Sequence, residues 1–390
     1  MSGLRCYIAL VALGLGCAQP PVIIDAGSNA PKPQVLLLID TSGSNTFLAN
    51  CQCSTLPDCH ECLPNCSAGE RPRWHDVLAA VSGSFENYSC TALERTAENG
   101  ATYDEGYSRL FYRLGVDVLQ LPDGVLDRYR ERVQFGLATF DSIRTYSRTS
   151  DLVTNFNLAL SNASDGQYSY GSAPDGPRIR PDGTLAGRVR YPTTTQAHFI
   201  DTGIQSALAP EGALILPRDG AEPADVVANI RTQLKGVRPF GGTPTASALD
   251  DLYVAFTTGE AVATTAKRYV ILVTDGAPDD DFREYPNPGC DCAKRGNCPA
   301  DEDPALMGCP YPTAPDAAHV LRCGYDPSAC AGPVAQTHVV TLSIADEASR
   351  QQLDSIAAAG GGEAFHASSA AGLPASLDMA MSSILKDASR

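Results

Sequence analysis

The chain has 390 residues, of which 43% are hydrophobic and 19% are charged, together with 34 glycines and 28 prolines. This composition indicates a globular protein with many loops and excludes a wholly disordered chain. The formal net charge of −16 disfavours nucleic acid as a partner, because proteins that bind phosphate backbones cluster Lys and Arg. Divalent cations are compatible with such acidity. The 14 cysteines indicate either disulfides in an oxidising compartment or bound metal.

The first residues predict export. Residues 1–16 contain one charged residue, Arg5, and then an apolar run that is shorter than the ~20 residues needed to cross a bilayer, which is typical of a secretory signal. The run ends at Cys17, where the sequence resembles a bacterial lipoprotein processing site and the thiol would be lipidated. Gly14 stands where such sites usually have Leu, so the alternatives are an ordinary signal cut nearby and an uncleaved amphiphilic start. Residues 17–33 are predicted to form a tether.

Buried strands alternate with helices over most of the remaining chain. Val35 begins an uninterrupted apolar run that ends at Asp40, the pattern of a parallel strand covered on both faces. The predicted strands are 35–40, 133–140, 268–274 and 338–344, and the predicted helices are 74–85, 105–119, 224–237, 245–256, 349–359 and 371–386. This alternation predicts an α/β fold with a doubly wound, mostly parallel sheet, within one domain at residues 34–390.

Three irregular segments interrupt the pattern: residues 45–72, 141–223 and 279–332. The first and the third are Cys-rich loop insertions. Loss of Cys6 with the signal and lipidation of Cys17 would leave two sets of six: Cys51, Cys53, Cys59, Cys62, Cys66 and Cys90, and Cys290, Cys292, Cys298, Cys309, Cys323 and Cys330. Export favours disulfides, although paired cysteines beside a histidine are also a zinc-ligand pattern. Six thiols in a set leave the connectivity open.

Oxygen-bearing side chains follow two of the predicted strands and precede one predicted helix. Asp40, Ser42 and Ser44 lie on the turn after the first strand, Thr243 lies before a helix, and Asp275 follows the third strand. Each turn alone is explained by a helix cap or a tight turn. Because open α/β sheets bind ligands beyond the carboxyl ends of their strands, we expect these side chains to converge there. Hydroxyl and carboxylate oxygens without His or Cys favour Mg²⁺ or Mn²⁺ over Zn²⁺.

The segments DTSGS at Asp40, GGTPT at Gly241 and TDG at Thr274 occur in this order along the chain. They resemble the three parts of the metal-ion-dependent adhesion site (MIDAS) of von Willebrand factor type A (VWFA) domains. The resemblance covers residues 33–140 and 224–386, apart from the insertions, and implies the Rossmann-like fold of that family.

By this resemblance, five side chains would hold a divalent metal. The hydroxyls of Ser42, Ser44 and Thr243 would bind it, while Asp40 and Asp275 would act directly or through water. One coordination position stays open, and the carboxylate of a partner's Asp or Glu can fill it. The chain departs from the family pattern after Ser44, where the first Cys-rich insertion precedes the first helix.

These observations predict an exported protein, either secreted or held in the cell envelope as an outer-membrane lipoprotein. It would bind a protein partner through Mg²⁺, or through Mn²⁺ or Ca²⁺, with membrane contact through the N-terminal lipid only. The two insertions would form a disulfide-stapled collar around the site. The alternative is a structural component of an envelope or surface assembly, in which the metal only stabilises loops.

No enzymatic activity is predicted, because the sequence contains no GxSxG, HExxH or phosphate-loop motif. The acidic runs at 279–281 and 301–303 lack the spacing of an EF-hand loop and are interpreted as solvated charge.

Overall fold

The computed structural model describes residues 31–51, 60–94, 110–140, 178–179, 185–186, 214–237, 239, 243, 245–257, 264–278, 313–324, 330 and 333–390. The expected signal, the lipidation site Cys17 and most of the expected tether lie outside these residues. So do most of segments 141–223 and 279–332, including both acidic runs.

A six-stranded sheet forms the core of the fold. Its strands are β1 (Gln34–Ile39), β2 (Gln134–Thr139), β3 (Leu214–Ile215), β4 (Arg268–Thr274), β5 (Gln336–Leu342) and β6 (Gly361–Ala367). They lie in the order β6-β5-β4-β1-β2-β3, and every neighbouring pair is parallel except β2 and β3. This is the strand order of a doubly wound α/β fold, so the predicted mostly parallel sheet is confirmed.

Helices cover the sheet in two layers. They are α1 (Arg73–Ser82), α2 (Val125–Tyr129), α3 (Pro223–Gly236), α4 (Thr245–Thr257), α5 (Ala314–Cys323), α6 (Glu347–Ala359) and α7 (Leu373–Ala388). Helices α1, α2, α3 and α7 pack into one hydrophobic cluster with Leu37 of β1, and α4, α5 and α6 pack into a second with Leu36. Because β1 is buried from both sides, it needs the unbroken apolar run seen in the sequence. No helix in the described residues is long and apolar enough to cross a lipid bilayer.

Short elements complete the described part of the chain. Two-stranded antiparallel ribbons pair Phe85–Glu86 with Leu119–Gln120, Cys90–Glu94 with Leu110–Leu114, and Arg178–Ile179 with Leu185–Ala186. Single 3₁₀ turns occur at Gly43–Thr46, His60–Cys62, Cys66–Ala68 and Ala370–Gly372.

The four predicted strands are confirmed, with small shifts at their ends. β4 has the predicted bounds, whereas β5 begins and ends two residues earlier than the predicted 338–344. The strand stops before Ser343, whose φ of 59° is incompatible with extended backbone. The sequence did not predict β3 or β6. It also missed α2, and α5 within segment 279–332.

The predicted helices are confirmed, again with shifted ends, except for the one at 105–119. In the described part of that segment, Leu110–Leu114 is a strand paired with Cys90–Glu94. Leu110 and Leu114 have the i, i+4 spacing of a helix face, which made the periodicity misleading. The disulfide between Cys66 and Cys90 ties the partner strand to the chain ahead of α1. The helix prediction is therefore wrong because a ribbon partner distant in sequence decides the conformation.

β1 and β4, the strands that carry the DTSGS and TDG turns, are neighbours in the sheet. Ile39 lies opposite Val273, and the backbone N–H of Asp40 donates to the oxygen of Val273 at 2.8 Å. The carboxyl ends of both strands therefore meet at one point of the sheet edge. The chain order of the strands reverses there, which is where open α/β sheets bind ligands.

Candidate metal centre

Two turns meet at the carboxyl ends of β1 and β4. After β1, the Asn45 side chain donates to the backbone oxygen of Asp40 at 3.1 Å and stabilises the 3₁₀ turn. After β4, the backbone N–H of Gly276 donates to the hydroxyl of Thr274 at 3.2 Å and closes the turn that carries Asp275. Short polar side chains that bond to nearby backbone explain why both strands end in tight turns.

The side chains of these turns form a hydrogen-bonded group that we call the oxygen cluster: Asp40, Ser42, Ser44 and Asp275. Ser42 Oγ lies 2.9 Å from Ser44 Oγ, and Ser44 Oγ donates to Asp275 Oδ1 at 2.9 Å. The Thr274 hydroxyl donates to Asp40 Oδ2 at 2.6 Å. Residues 231 positions apart in the sequence therefore share one polar network.

Thr243 lies at the same edge of the sheet. It is buried, and a Cβ placed on Gly276 would lie 3.8 Å from Thr243 Oγ1. The glycine therefore leaves room between the Thr243 hydroxyl and the turn that carries Asp275. All five side chains proposed from the sequence are thus brought to one edge, while their coordination of a metal stays a prediction.

The carboxyl group of Asp40 is buried beside a second carboxyl group. Asp40 is 1% exposed, and burial followed by the nearby charge of Asp275 raises its pKa to about 7. Hydrogen bonds from Ser42 and Thr274 oppose this rise. A buried carboxylate costs free energy unless a positive charge lies against it. The surroundings of Asp40 therefore fit a cation.

Arg73 belongs to this site, although the sequence did not reveal it. Its Nη1 lies 2.7 Å from Asp275 Oδ2, and both side chains are buried. Its Nη2 donates to the backbone oxygen of Cys51 at 2.7 Å, and its Nε donates to that of Leu48 at 3.3 Å. Both oxygens belong to the first insertion, so Arg73 connects that insertion to the oxygen cluster. No motif marks an arginine at this position, because only the fold shows which carboxylate it meets.

The donor set suits a hard cation. Ionised Asp40 and Asp275 carry two negative charges, and Arg73 offsets one of them. The other donors are hydroxyl oxygens, which together with carboxylates suit Mg²⁺ and Ca²⁺ rather than Zn²⁺. Nowhere in the described residues do three or more His, Cys, Asp or Glu side chains gather, so hydroxyls and water would have to supply the remaining ligands.

The Cys-rich segments contain disulfides where the structure describes them. Cys51 bonds to Cys62, Cys66 to Cys90, and Cys323 to Cys330. Each bond joins cysteines of the same set, and the bonded thiols are excluded as zinc ligands. The other cysteines of the two sets lie outside the described residues.

The first insertion lies beside the oxygen cluster. The backbone N–H of Leu48 donates to the oxygen of Cys62 at 2.9 Å, and that of Arg73 donates to the oxygen of Phe47 at 2.8 Å. These bonds fold residues 47–51 back against the start of α1. The described part of this insertion therefore lies near the oxygen cluster, and the collar stays a prediction. The corresponding part of the second insertion lies outside the described residues.

No family model matches this chain, and neither does any curated protein. Among solved structures it is similar to the pilus adhesin SpaC from Lactobacillus rhamnosus GG, with 13% identity and a TM-score of 0.39 over 92% of this chain. The chain spans 31% of the adhesin's length.

Two further solved structures are similar to this chain. An aerotolerance-related membrane protein from Bacteroides fragilis NCTC 9343 has 9% identity and a TM-score of 0.33, over 90% of this chain and 98% of that one. The PilB minor pilin from Streptococcus sanguinis has 10% identity and a TM-score of 0.37, over 92% of this chain and 63% of that one. Identities and TM-scores this low establish no shared function.

Proposed function

We propose that this chain is an exported, VWFA-type binding protein of the cell envelope that holds Mg²⁺ at the oxygen cluster and binds a protein partner there. The observation that carries the proposal is the convergence of Asp40, Ser42 and Ser44 with Asp275 at the ends of neighbouring strands. Mn²⁺ and Ca²⁺ share the preference for oxygen ligands and are the other candidate ions.

The side chains of the site would have different roles. Ser42, Ser44 and Thr243 supply neutral oxygens, while Asp40 and Asp275 supply negative charge. A bound divalent ion supplies a positive centre to which a carboxylate of the partner can bond. Arg73 orients Asp275 and offsets part of its charge. We assign the site to binding and give it no catalytic role.

The hydrogen bonds around Asp275 favour a second candidate function. Ser44 and Asn45 donate to its Oδ1, and Arg73 donates to its Oδ2. A network so complete can brace the loops of a component of an envelope or surface assembly. In that case a metal would change stability but not the binding of a partner.

Metal titration tests the site. Isothermal calorimetry of the full chain should show saturable binding of Mg²⁺, Mn²⁺ or Ca²⁺, and Asp40→Asn should weaken it by at least about tenfold because a buried carboxylate ligand is lost. Asp117→Asn, which removes the same charge from an exposed residue, is the matched control and should bind as the parent does. Absence of saturable binding to the parent chain would refute the proposal.

Partner capture separates the two candidate functions. The chain is immobilised, incubated with native envelope extract in Mg²⁺, and eluted with EDTA. A protein eluted by chelator from the parent chain, but absent from Asp40→Asn, supports binding through the metal. Equal retention with and without EDTA favours the assembly role.

A further inference from the structure

A second polar site lies at the carboxyl ends of β5 and β6. A cavity of about 300 Å³ opens there between residues 48–50, the start of α1 and the residues that follow the two strands. Its volume is at the lower end of the range for small-molecule sites. Its position is again the edge at which open α/β sheets bind ligands. Every residue that lines it belongs to the described part of the chain.

One base and one acid line this cavity without bonding to each other. The Arg71 guanidinium lies 4.4 Å from the centre of the Tyr88 ring. Within the described residues, neither that guanidinium nor the Asp76 carboxyl has a hydrogen-bond or ion-pair partner. Burial raises the pKa of Asp76 to about 7, against the opposing effect of Arg71. Both charged groups are therefore available to a ligand.

Ser343 adds a hydroxyl without a partner. Its Oγ is buried and makes no hydrogen bond within the described residues, and its φ of 59° lies in the left-handed region. Such strain in a non-glycine residue is characteristic of ligand sites. The backbone is held in place because the N–H of Ser343 donates to the oxygen of Ala367 at 2.8 Å. Ser368 and Ser369 bring further hydroxyls to the cavity.

We propose that this cavity binds the zwitterionic head of an α-amino acid, with its ammonium group on Asp76 and the serine hydroxyls and its carboxylate on Arg71. A simple anion would leave Asp76 facing a like charge, and a simple cation would do the same to Arg71. A ligand with both charges on one carbon offsets both residues. An apolar ligand would leave the hydroxyls unpaired, which costs free energy.

The site goes beyond the proposed metal-dependent function and is tested apart from it. The full chain is titrated with glycine in the presence of EDTA, so that the oxygen cluster cannot contribute. Calorimetry should show saturable binding of glycine. Acetate and methylammonium, which carry the two charges separately, should each bind at least about tenfold more weakly. Acetate that binds as tightly as glycine would overturn the zwitterion assignment.

Matched variants locate the binding. Asp76→Asn and Arg71→Met should each weaken glycine binding by at least about tenfold. Asp117→Asn and Arg113→Met should leave it unchanged. Arg113 is a suitable control because it is exposed and its guanidinium also lies near an aromatic ring, 5.4 Å from the centre of Phe111.

A more conservative variant distinguishes a loss of binding from a loss of folding. Ser343→Ala removes only the hydroxyl and should weaken glycine binding while circular dichroism stays that of the parent. No saturable binding of glycine to the parent chain, or undiminished binding in both Asp76→Asn and Arg71→Met, would overturn the proposal.

Discussion

The oxygen cluster and the cavity lie at the same edge of the sheet, but their polar side chains differ in whether they have hydrogen-bond partners. In the cluster, Ser44 and Asp275 are hydrogen-bonded within the chain. In the cavity, Asp76 and Ser343 have no such partners in the described residues. A satisfied network stabilises the loops that form it, whereas unsatisfied buried groups cost stability until a ligand meets them. The contrast indicates that the hydrogen bonds of the cluster position the oxygens of the proposed metal site in advance, whereas the groups of the cavity would gain partners from the proposed ligand.

The largest effect is expected at the ion pair of the oxygen cluster. Arg73→Met should lower the free energy of unfolding by about 3–5 kcal/mol, because it leaves the buried Asp275 uncompensated. Urea denaturation in EDTA measures the loss, and Mg²⁺ should restore part of it through binding to the folded state. Arg128→Met, which breaks an exposed pair with Asp378, is the control and should cost about 0–1 kcal/mol. Equal losses in the two variants would contradict this interpretation.

The next effect concerns the insertion that Arg73 contacts. Replacing Cys51 and Cys62 by Ser should cost about 2–4 kcal/mol of unfolding free energy. It should also weaken Mg²⁺ binding, because the backbone oxygen of Cys51 helps to position Arg73.

The other disulfide of this region is the control. Replacing Cys66 and Cys90 by Ser should cause a similar loss of stability with unchanged Mg²⁺ affinity. Calorimetric titration of both variants provides the measurement, and an equal fall in affinity would remove the proposed link through Arg73.

A smaller effect is expected in the pH dependence that Asp76 contributes. Its pKa is raised from 3.8 to about 7 by burial, so the folded state holds a proton that the unfolded state releases between these values. Stability should therefore fall as pH rises from about 4 to about 7, by on the order of 2 kcal/mol relative to Asp76→Asn.

The neighbouring His75 also changes in this range, because burial lowers its pKa to about 4, but it is present in both proteins and cancels in the difference. Urea denaturation of both proteins across this range gives the two curves. Parallel curves would show that ionisation of Asp76 does not lower the free energy of unfolding.

The smallest effect is expected from the strained serine of the cavity. Ser343→Gly should raise the free energy of unfolding by up to about 1 kcal/mol, because glycine adopts a positive φ without a steric penalty. Thermal unfolding measures it. Ser369→Gly, at a φ of −156°, should give no gain. Stabilisation of both variants, or of neither, would show that backbone strain at Ser343 is not the cause.

The sheet and the oxygen cluster could be predicted because they depend on patterns that can be recognised along the sequence. The apolar runs of β1 and β4 report burial on both faces, and polar turns at their carboxyl ends must meet if the strands are neighbours. The ribbon at Leu110–Leu114 could not be predicted in this way. Its i, i+4 spacing favours a helix, and pairing with Cys90–Glu94 decides otherwise.

By itself, the sequence determined the fold class and indicated which polar turns follow the buried strands, because continuous apolar runs and turn residues act through local physical chemistry. Only the tertiary structure decided that Arg73 meets Asp275 and that Asp76 shares a cavity with Ser343. Such contacts depend on how separate segments pack in space. The types and spacing of residues along the chain do not indicate the distances between segments that are remote in sequence.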